Sequence, residues 1–188
     1  MSVSIHDGVC VRRNFLPLDA MLVVLAAVDR LAGSWTSSEE LGLLGRGRTS
    51  QVRGGDLAAQ APLDEIRRVL APAVLAWVKQ CGYWFPGPPR LQLFPVRMIG
   101  DAAEPPRQVP HVDSYDAAAG DPICTNVFYV RASGLTGGAL MAEGAREGGA
   151  PVELRPTPNT LVTLPGNRVH WVDPLLAGER VSVVVNFY

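Results

Sequence analysis

Arg180-Val-Ser-Val-Val-Val-Asn-Phe187 has the composition of a β-strand, and its alternation decides how the rest of the chain reads. A period of two places Arg180, Ser182, Val184 and Asn186 on one face and Val181, Val183, Val185 and Phe187 on the other. An arginine and a serine set in so apolar a strand imply a specific partner, because a guanidinium is costly to bury unpaired. Its planar fork matches a carboxylate, which it grips through two parallel hydrogen bonds.

Just upstream, the run Leu161-Val-Thr-Leu-Pro-Gly-Asn-Arg-Val-His170 ends on a histidine. Further upstream stands His111-Val-Asp113. In extended backbone, residues two apart point to the same side, so one imidazole nitrogen and one carboxylate oxygen can meet a single metal ion. The chain holds three histidines, His6, His111 and His170, and two of them fall in this pattern. Two histidines and one carboxylate, with the remaining coordination positions open, suit a ferrous ion that must also take a co-substrate and oxygen. HxD by itself is a weak signal, since such a pair is often a surface or capping feature; its recurrence in an ordered set of motifs is what gives it weight.

In chain order, His111-Val-Asp113, Thr125-Asn-Val-Phe-Tyr-Val130, Gly137-Gly-Ala-Leu140, Pro156-Thr-Pro-Asn-Thr-Leu-Val-Thr-Leu-Pro165, His170 and Gly178-Glu-Arg-Val-Ser182 resemble the 2-oxoglutarate- and Fe(II)-dependent dioxygenases, and among them the prolyl-4-hydroxylase-like group. The resemblance runs from about Leu91 to Phe187. It implies that His111, Asp113 and His170 bind Fe(II), that Arg180 grips the distal carboxylate of 2-oxoglutarate, and that Ser182 assists. With O2, the co-substrate would be split to succinate and CO2 as the substrate is oxidised. Related halogenases lack a carboxylate at the position of Asp113, so its presence favours hydroxylation. The group often carries a tyrosine on the strand before HxD as a further co-substrate contact. The corresponding run, Arg90-Leu-Gln-Leu-Phe-Pro-Val-Arg-Met98, has none, which leaves Gln92, Arg97 or Tyr129 to supply it.

These features imply an iron- and 2-oxoglutarate-dependent hydroxylase acting on a small molecule such as an amino acid or a biosynthetic intermediate. The alternatives are a prolyl-type hydroxylase of peptides or proteins, and a cupin-like metal-binding protein without oxygenase activity. Tyr115 and Asp116, in the loop after the metal strand, and Arg97, Arg131, Trp171 and Asn186 are the candidates for the substrate side.

The expected architecture is mainly β within an α+β class: a double-stranded β-helix (a jelly roll of cupin-like form) backed by N-terminal helices. One domain would span 1–188, with helical support at about 15–82 and the jelly-roll core at about 90–188. A first helix follows Pro17, with Leu18, Met21, Leu22, Leu25, Val28 and Leu31 on its apolar face and Gly33 after it. A second runs from Pro62 to about Gln80, with Leu63, Ile66, Val69, Leu70, Ala73, Val74, Trp77 and Val78 as its buried stripe. Pro72 inside it predicts a kink or a split. Residues 34–61, rich in Gly, Arg and Ser, read as a long surface segment of the kind from which lids are made.

Composition excludes several classes. Apolar residues make up 47% of the 188, and the net charge is −1, so disorder is not indicated. No basic run suggests nucleic acid. The longest apolar run, Ala20–Val28, is far shorter than the roughly twenty residues a bilayer demands. Cys10, Cys81 and Cys124 are odd in number and widely spaced, with no disulfide or metal pattern, which favours a reducing cytoplasm. Expected partners are therefore a small-molecule substrate, no nucleic acid and no membrane, with the protein a monomer or homodimer.

Overall fold

The computed structural model describes residues 3–39, 45–52, 55–113, 120–146 and 148–188. In chain order, strands β1 (Val3–His6) and β2 (Val9–Arg13) form a hairpin, followed by helix α1 (Leu18–Arg30). Three short strands come next, β3 (Trp35–Ser37), β4 (Gly45–Arg46) and β5 (Thr49–Val52), and then helix α2 (Leu57–Gln80). The remaining strands are β6 (Leu91–Ile99), β7 (Arg107–His111), β8 (Cys124–Gly137), β9 (Leu140–Ala142), β10 (Val152–Leu154), β11 (Thr160–Pro165), β12 (His170–Val172) and β13 (Leu175–Phe187).

Among the described residues these strands make two sheets. The larger has the order β1-β2-β11-β8-β13-β6-β5-β3, the smaller β10-β9-β12-β7-β4. Neighbouring strands pair antiparallel throughout. This is the expected jelly roll with helical support. The first hairpin turns at Asp7-Gly8, whose φ values of 55° and 79° are the left-handed pair that a two-residue turn between twisted strands requires.

The larger sheet is covered on both faces, and the alternation of β13 shows how. Val181, Val183, Val185 and Phe187 join Phe128, Val130 and Leu161 in a core completed by the helices, through Val24, Val28, Ile66, Leu70, Val74 and Trp77. Val184 on the opposite face joins Val96, Met98, Val127 and Tyr129 with Leu140, Ala142 and Val172 of the smaller sheet. A strand buried on both sides must carry its polar residues inside, so Arg180, Ser182 and Asn186 are all buried. Each fully buried aliphatic chain here contributes about 1.5–3 kcal/mol.

The helices depart from expectation in two ways. On α1 the buried residues are Met21, Val24, Ala27 and Val28, whereas Leu18 and Leu22 are 74% and 53% exposed. The helix is apolar nearly all round, so spacing alone leaves its rotational phase open. Helix α2 starts before Pro62, at Leu57, and is a single element although Pro62 and Pro72 both lie inside it. Its Asp56 cap accepts from the Ala58 N–H at 2.9 Å. Each proline removes one hydrogen bond of the helix, and the buried stripe through Leu63, Ile66, Leu70, Val74, Trp77 and Val78 holds the rod together across the gap.

Residues 34–61 also differ from expectation. Within them β3 and β5 extend the edge of the larger sheet, and β4 pairs with β7 at the edge of the smaller one. These strands are short and lack an apolar run, and backbone pairing at an edge needs none.

A buried polar chain ties α2 to the sheet. Trp77 Nε1 donates to Thr163 Oγ1 (3.1 Å), whose hydroxyl donates to Asn126 Oδ1 (2.7 Å). Asn126 Nδ2 in turn donates to the Val185 carbonyl (2.8 Å). Thr163→Val keeps the shape but strands both neighbours, at an expected cost of about 2–4 kcal/mol. Urea unfolding measures it, and an unchanged midpoint would show that the chain contributes nothing.

The three cysteines are free. The Cys81 thiol is pushed up to about 12, by burial first and then by a hydrogen bond with Cys10. Alkylation of Cys81 at pH 8 is therefore expected on the order of a thousandfold slower than that of an ordinary thiol. Intact mass after iodoacetamide checks this, and rapid single labelling at Cys81 would contradict it.

Candidate metal centre

His111 is the last residue of β7 and His170 the first of β12, and the two are cross-strand partners. The pairing brings their rings to a centroid separation of 4.4 Å. Asp113 follows two residues beyond His111. One donor atom from each of His111, Asp113 and His170 lies within 4.8 Å of the other two, which one ion can bridge. Asp113 Oδ1 sits 3.4 Å from His111 Nε2 and 3.8 Å from His170 Nε2.

The imidazoles are held in the tautomer that metal binding needs. His111 Nδ1 contacts the Val109 carbonyl at 2.7 Å, and His170 Nδ1 contacts the Arg168 carbonyl at 3.0 Å. A carbonyl only accepts, so each Nδ1 carries a proton, and in the neutral ring Nε2 is the nitrogen that has a lone pair to offer a metal. Burial works against charge on Asp113, but the His111 hydrogen bond, the charge of His170 and the Asn186 amide hold its pKa below the ordinary carboxylate value. Burial also lowers the His170 pKa from its ordinary value. For His111 burial is outweighed by the Asp113 and Val109 hydrogen bonds, and its pKa is raised.

Arg180 and Ser182 lie on the inner face of β13, as expected, and both are buried. Arg180 Nη1 donates to the Gly138 carbonyl (3.3 Å) and approaches Met98 Sδ (3.9 Å). The guanidinium lies over the Tyr129 ring, 5.1 Å from its centroid. Among the described residues no carboxylate pairs with it, and its buried Nε has no hydrogen-bond partner. The buried Tyr129 hydroxyl is also without one. Burial lowers the Arg180 pKa from its ordinary value and raises that of Tyr129. A buried cation with a free Nε, stacked on the ring of a tyrosine whose buried hydroxyl is also free, has the donors that could receive an anion.

Gly138, whose carbonyl Arg180 uses, needs its glycine. Its φ is +73°, and a Cβ there would meet Leu175 Cδ1 at 2.8 Å.

The other candidates are placed differently. Arg97 shares a face of β6 with Leu91 and Leu93, on the helix side, and bonds Glu179 at 2.8 Å. Arg131 pairs with Asp29 of α1, again on the helix side. Trp171 alternates with His170 along β12, and its Nε1 donates to Asp173 Oδ1 (3.0 Å). None of the three is brought to the triad. Tyr115 and Asp116 lie outside the described residues. Of the three residues considered for a third co-substrate contact, Arg97 is engaged by Glu179, and Gln92 Oε1 accepts from Asn186 and Tyr188. Tyr129 is left with a free hydroxyl beside Arg180.

Sequence reading missed Thr125 and did not give Asn186 its place. Both donate to Asp113 Oδ2, each at 3.1 Å. Asn186 shares the period-two face of Arg180, which was a usable signal. Thr125 gave none without knowledge of which strands pair.

No protein-family model matches the sequence, and no curated protein does. Solved structures do match in three dimensions. A prolyl hydroxylase of Trichoplax adhaerens, in complex with a hypoxia-inducible-factor oxygen-degradation-domain peptide fragment, is similar over 97% of this chain and 84% of that chain, with a TM-score of 0.71 and 16% identity. The fold is that of the prolyl hydroxylases. The α-ketoglutarate-dependent epimerase SnoN of nogalamycin biosynthesis is similar over 96% of this chain and 76% of that one at 16% identity and a TM-score of 0.69. HygX of Streptomyces hygroscopicus, solved with nickel and 2-oxoglutarate, is similar over 96% of this chain and 82% of that one at 14% identity and a TM-score of 0.66.

Proposed function

We propose that the protein is an Fe(II)- and 2-oxoglutarate-dependent dioxygenase that hydroxylates a small molecule, such as an amino acid or a biosynthetic intermediate. One observation carries this reading: a His111–Asp113–His170 donor set shares the interior of a prolyl hydroxylase fold with a buried Arg180 that lacks an anionic partner.

The residues fit both groups. Two neutral imidazoles and one carboxylate suit a divalent iron and leave positions open on it. Arg180 and Tyr129 would hold the far carboxylate of 2-oxoglutarate, with Ser182 beside them. When bound, iron and 2-oxoglutarate supply the oxidising chemistry, consuming O2 and releasing succinate and CO2. The chain binds and orients. Val109 and Arg168 fix the imidazole tautomers, Asp113 contributes the negative charge, and the apolar wall of Val96, Val127, Leu140 and Val184 keeps water from the pocket. The inward Arg180 and Ser182 support this reading over a cupin-like metal binder, which needs neither. No described helix is long and apolar enough to cross a membrane. Three free thiols support a reducing cytoplasm, where iron stays ferrous.

The Trichoplax neighbour was solved with a peptide, and SnoN belongs to nogalamycin biosynthesis, so the substrate class is decided by competition. Succinate formation is measured with Fe(II), 2-oxoglutarate and O2 against panels of small molecules and of peptides. We expect acceleration by a free small molecule. Acceleration by peptides alone would overturn the substrate class, and no 2-oxoglutarate consumption under any condition would overturn the enzymatic reading.

A further inference from the structure

Thr125 and Asn186 are cross-strand partners on β8 and β13, at the end of the larger sheet that faces Asp113. Their side chains cross the interior of the sandwich and meet the same atom. Thr125 Oγ1 and Asn186 Nδ2 both donate to Asp113 Oδ2, at 3.1 Å each, while Oδ1 is the oxygen turned towards the two imidazole Nε2 atoms. We propose that Thr125 and Asn186 are positioning residues that hold Asp113 as a one-oxygen ligand. The inference rests on the metal reading above and adds two residues and a task to it.

The chemistry follows from counting positions. A carboxylate can give a metal one oxygen or two. His111, His170 and one oxygen of Asp113 would give a bound metal three donors and leave places on it for the co-substrate and O2. A second oxygen from Asp113 would take one of those places. Two hydrogen bonds on Oδ2 occupy its lone pairs on the side of the larger sheet and fix the rotation of the carboxylate. They also offset part of the desolvation of a charge that is nearly buried.

The clamp is itself held. Asn186 Nδ2 also donates to Gln92 Oε1 (3.3 Å), which accepts from the Tyr188 hydroxyl (3.1 Å), so the amide cannot turn freely. On the opposite face, Asn126 beside Thr125 binds the carbonyl of Val185 beside Asn186 (2.8 Å), pinning the register of the two strands at this point. The Trp77–Thr163–Asn126 chain anchors that pin to α2.

The test uses Co(II), which needs no oxygen, and reads both affinity and the visible d–d spectrum. Thr125→Val preserves shape and removes the donor, Thr125→Ser restores the donor, and Asn186→Ala removes the other. The expected result is about tenfold weaker Co(II) binding with an altered spectrum for Thr125→Val and for Asn186→Ala. Thr125→Ser should recover wild-type affinity and spectrum, which a loss of packing would not allow. If Asn186→Ala does not fold, the Thr125 pair decides alone. Wild-type affinity and spectrum in Thr125→Val would overturn the clamp and leave the metal site standing. Failure of the wild-type protein to bind Co(II) would overturn both.

Discussion

Asp113→Ala is expected to lose divalent metal binding by more than the 10- to 100-fold typical of supporting residues, and with it all 2-oxoglutarate turnover. Among the described residues Asp113 is the one anion beside two imidazoles whose rings stand 4.4 Å apart. Without it the metal meets two neutral donors, and Thr125 and Asn186 lose their shared acceptor. The substitution thus removes a ligand, the charge that attracts the ion, and the partner of two buried donors. Co(II) titration gives the affinity, and succinate formation gives the turnover. Full activity in Asp113→Ala would remove Asp113 from the metal altogether. Asp113→Asn should behave almost as badly, because whichever way the amide turns it replaces one useful oxygen by a donor.

Arg180→Met is the second large effect, and its direction differs between binding and stability. The buried guanidinium is satisfied by one carbonyl and a thioether, with Nε unpartnered. A buried cation in that condition destabilises the fold, whereas a methionine of similar length would pack against Met98 and Tyr129. Arg180→Met is therefore expected to melt at a higher temperature than the wild type when no 2-oxoglutarate is present. Adding 2-oxoglutarate with the metal should raise the melting temperature of the wild type and leave the variant unmoved. Loss of one partner of a buried charge pair costs roughly 2–5 kcal/mol, which corresponds to about a thirtyfold to several-thousandfold weakening of 2-oxoglutarate binding. Unchanged co-substrate affinity in the variant would make Arg180 a structural residue. Such a site accepts lower stability in exchange for binding, as functional sites commonly do.

Much of the centre was legible because it is written in local patterns. The alternation in Arg180–Phe187 separated the inner face from the helix-packed face, and the structure places Val184 in one core and Val181, Val183, Val185 and Phe187 in the other. His111 ends β7 with Asp113 two residues beyond it, and His170 closes the set across one strand pair. The buried stripe of α2 was read from its spacing. What was not legible depends on contacts between distant segments. Thr125 donates to an aspartate that follows a strand of the opposite sheet, and nothing near it in sequence announces that. Arg97 and Arg131 had the chemistry of substrate contacts, but strand parity and a register shift in β8 between the partners of Val181 and Ser182 turn them towards Glu179 and Asp29. On α1, Met21, Val28 and Leu31 are buried as their spacing predicts while Leu18 and Leu22 are exposed, because with apolar residues on most sides periodicity leaves the exact phase to the packing beneath. Strands β3 to β5 escaped notice because edge strands are held by backbone hydrogen bonds and need few apolar side chains.

The most direct test of the central claim is an anaerobic visible spectrum of the Fe(II)-loaded protein before and after addition of 2-oxoglutarate. Binding of the keto acid to iron through two oxygens produces a charge-transfer band. The band is expected in the wild type and is expected to be lost in Arg180→Met at the same co-substrate concentration. A folded, iron-loaded wild-type protein that shows no band would contradict the claim.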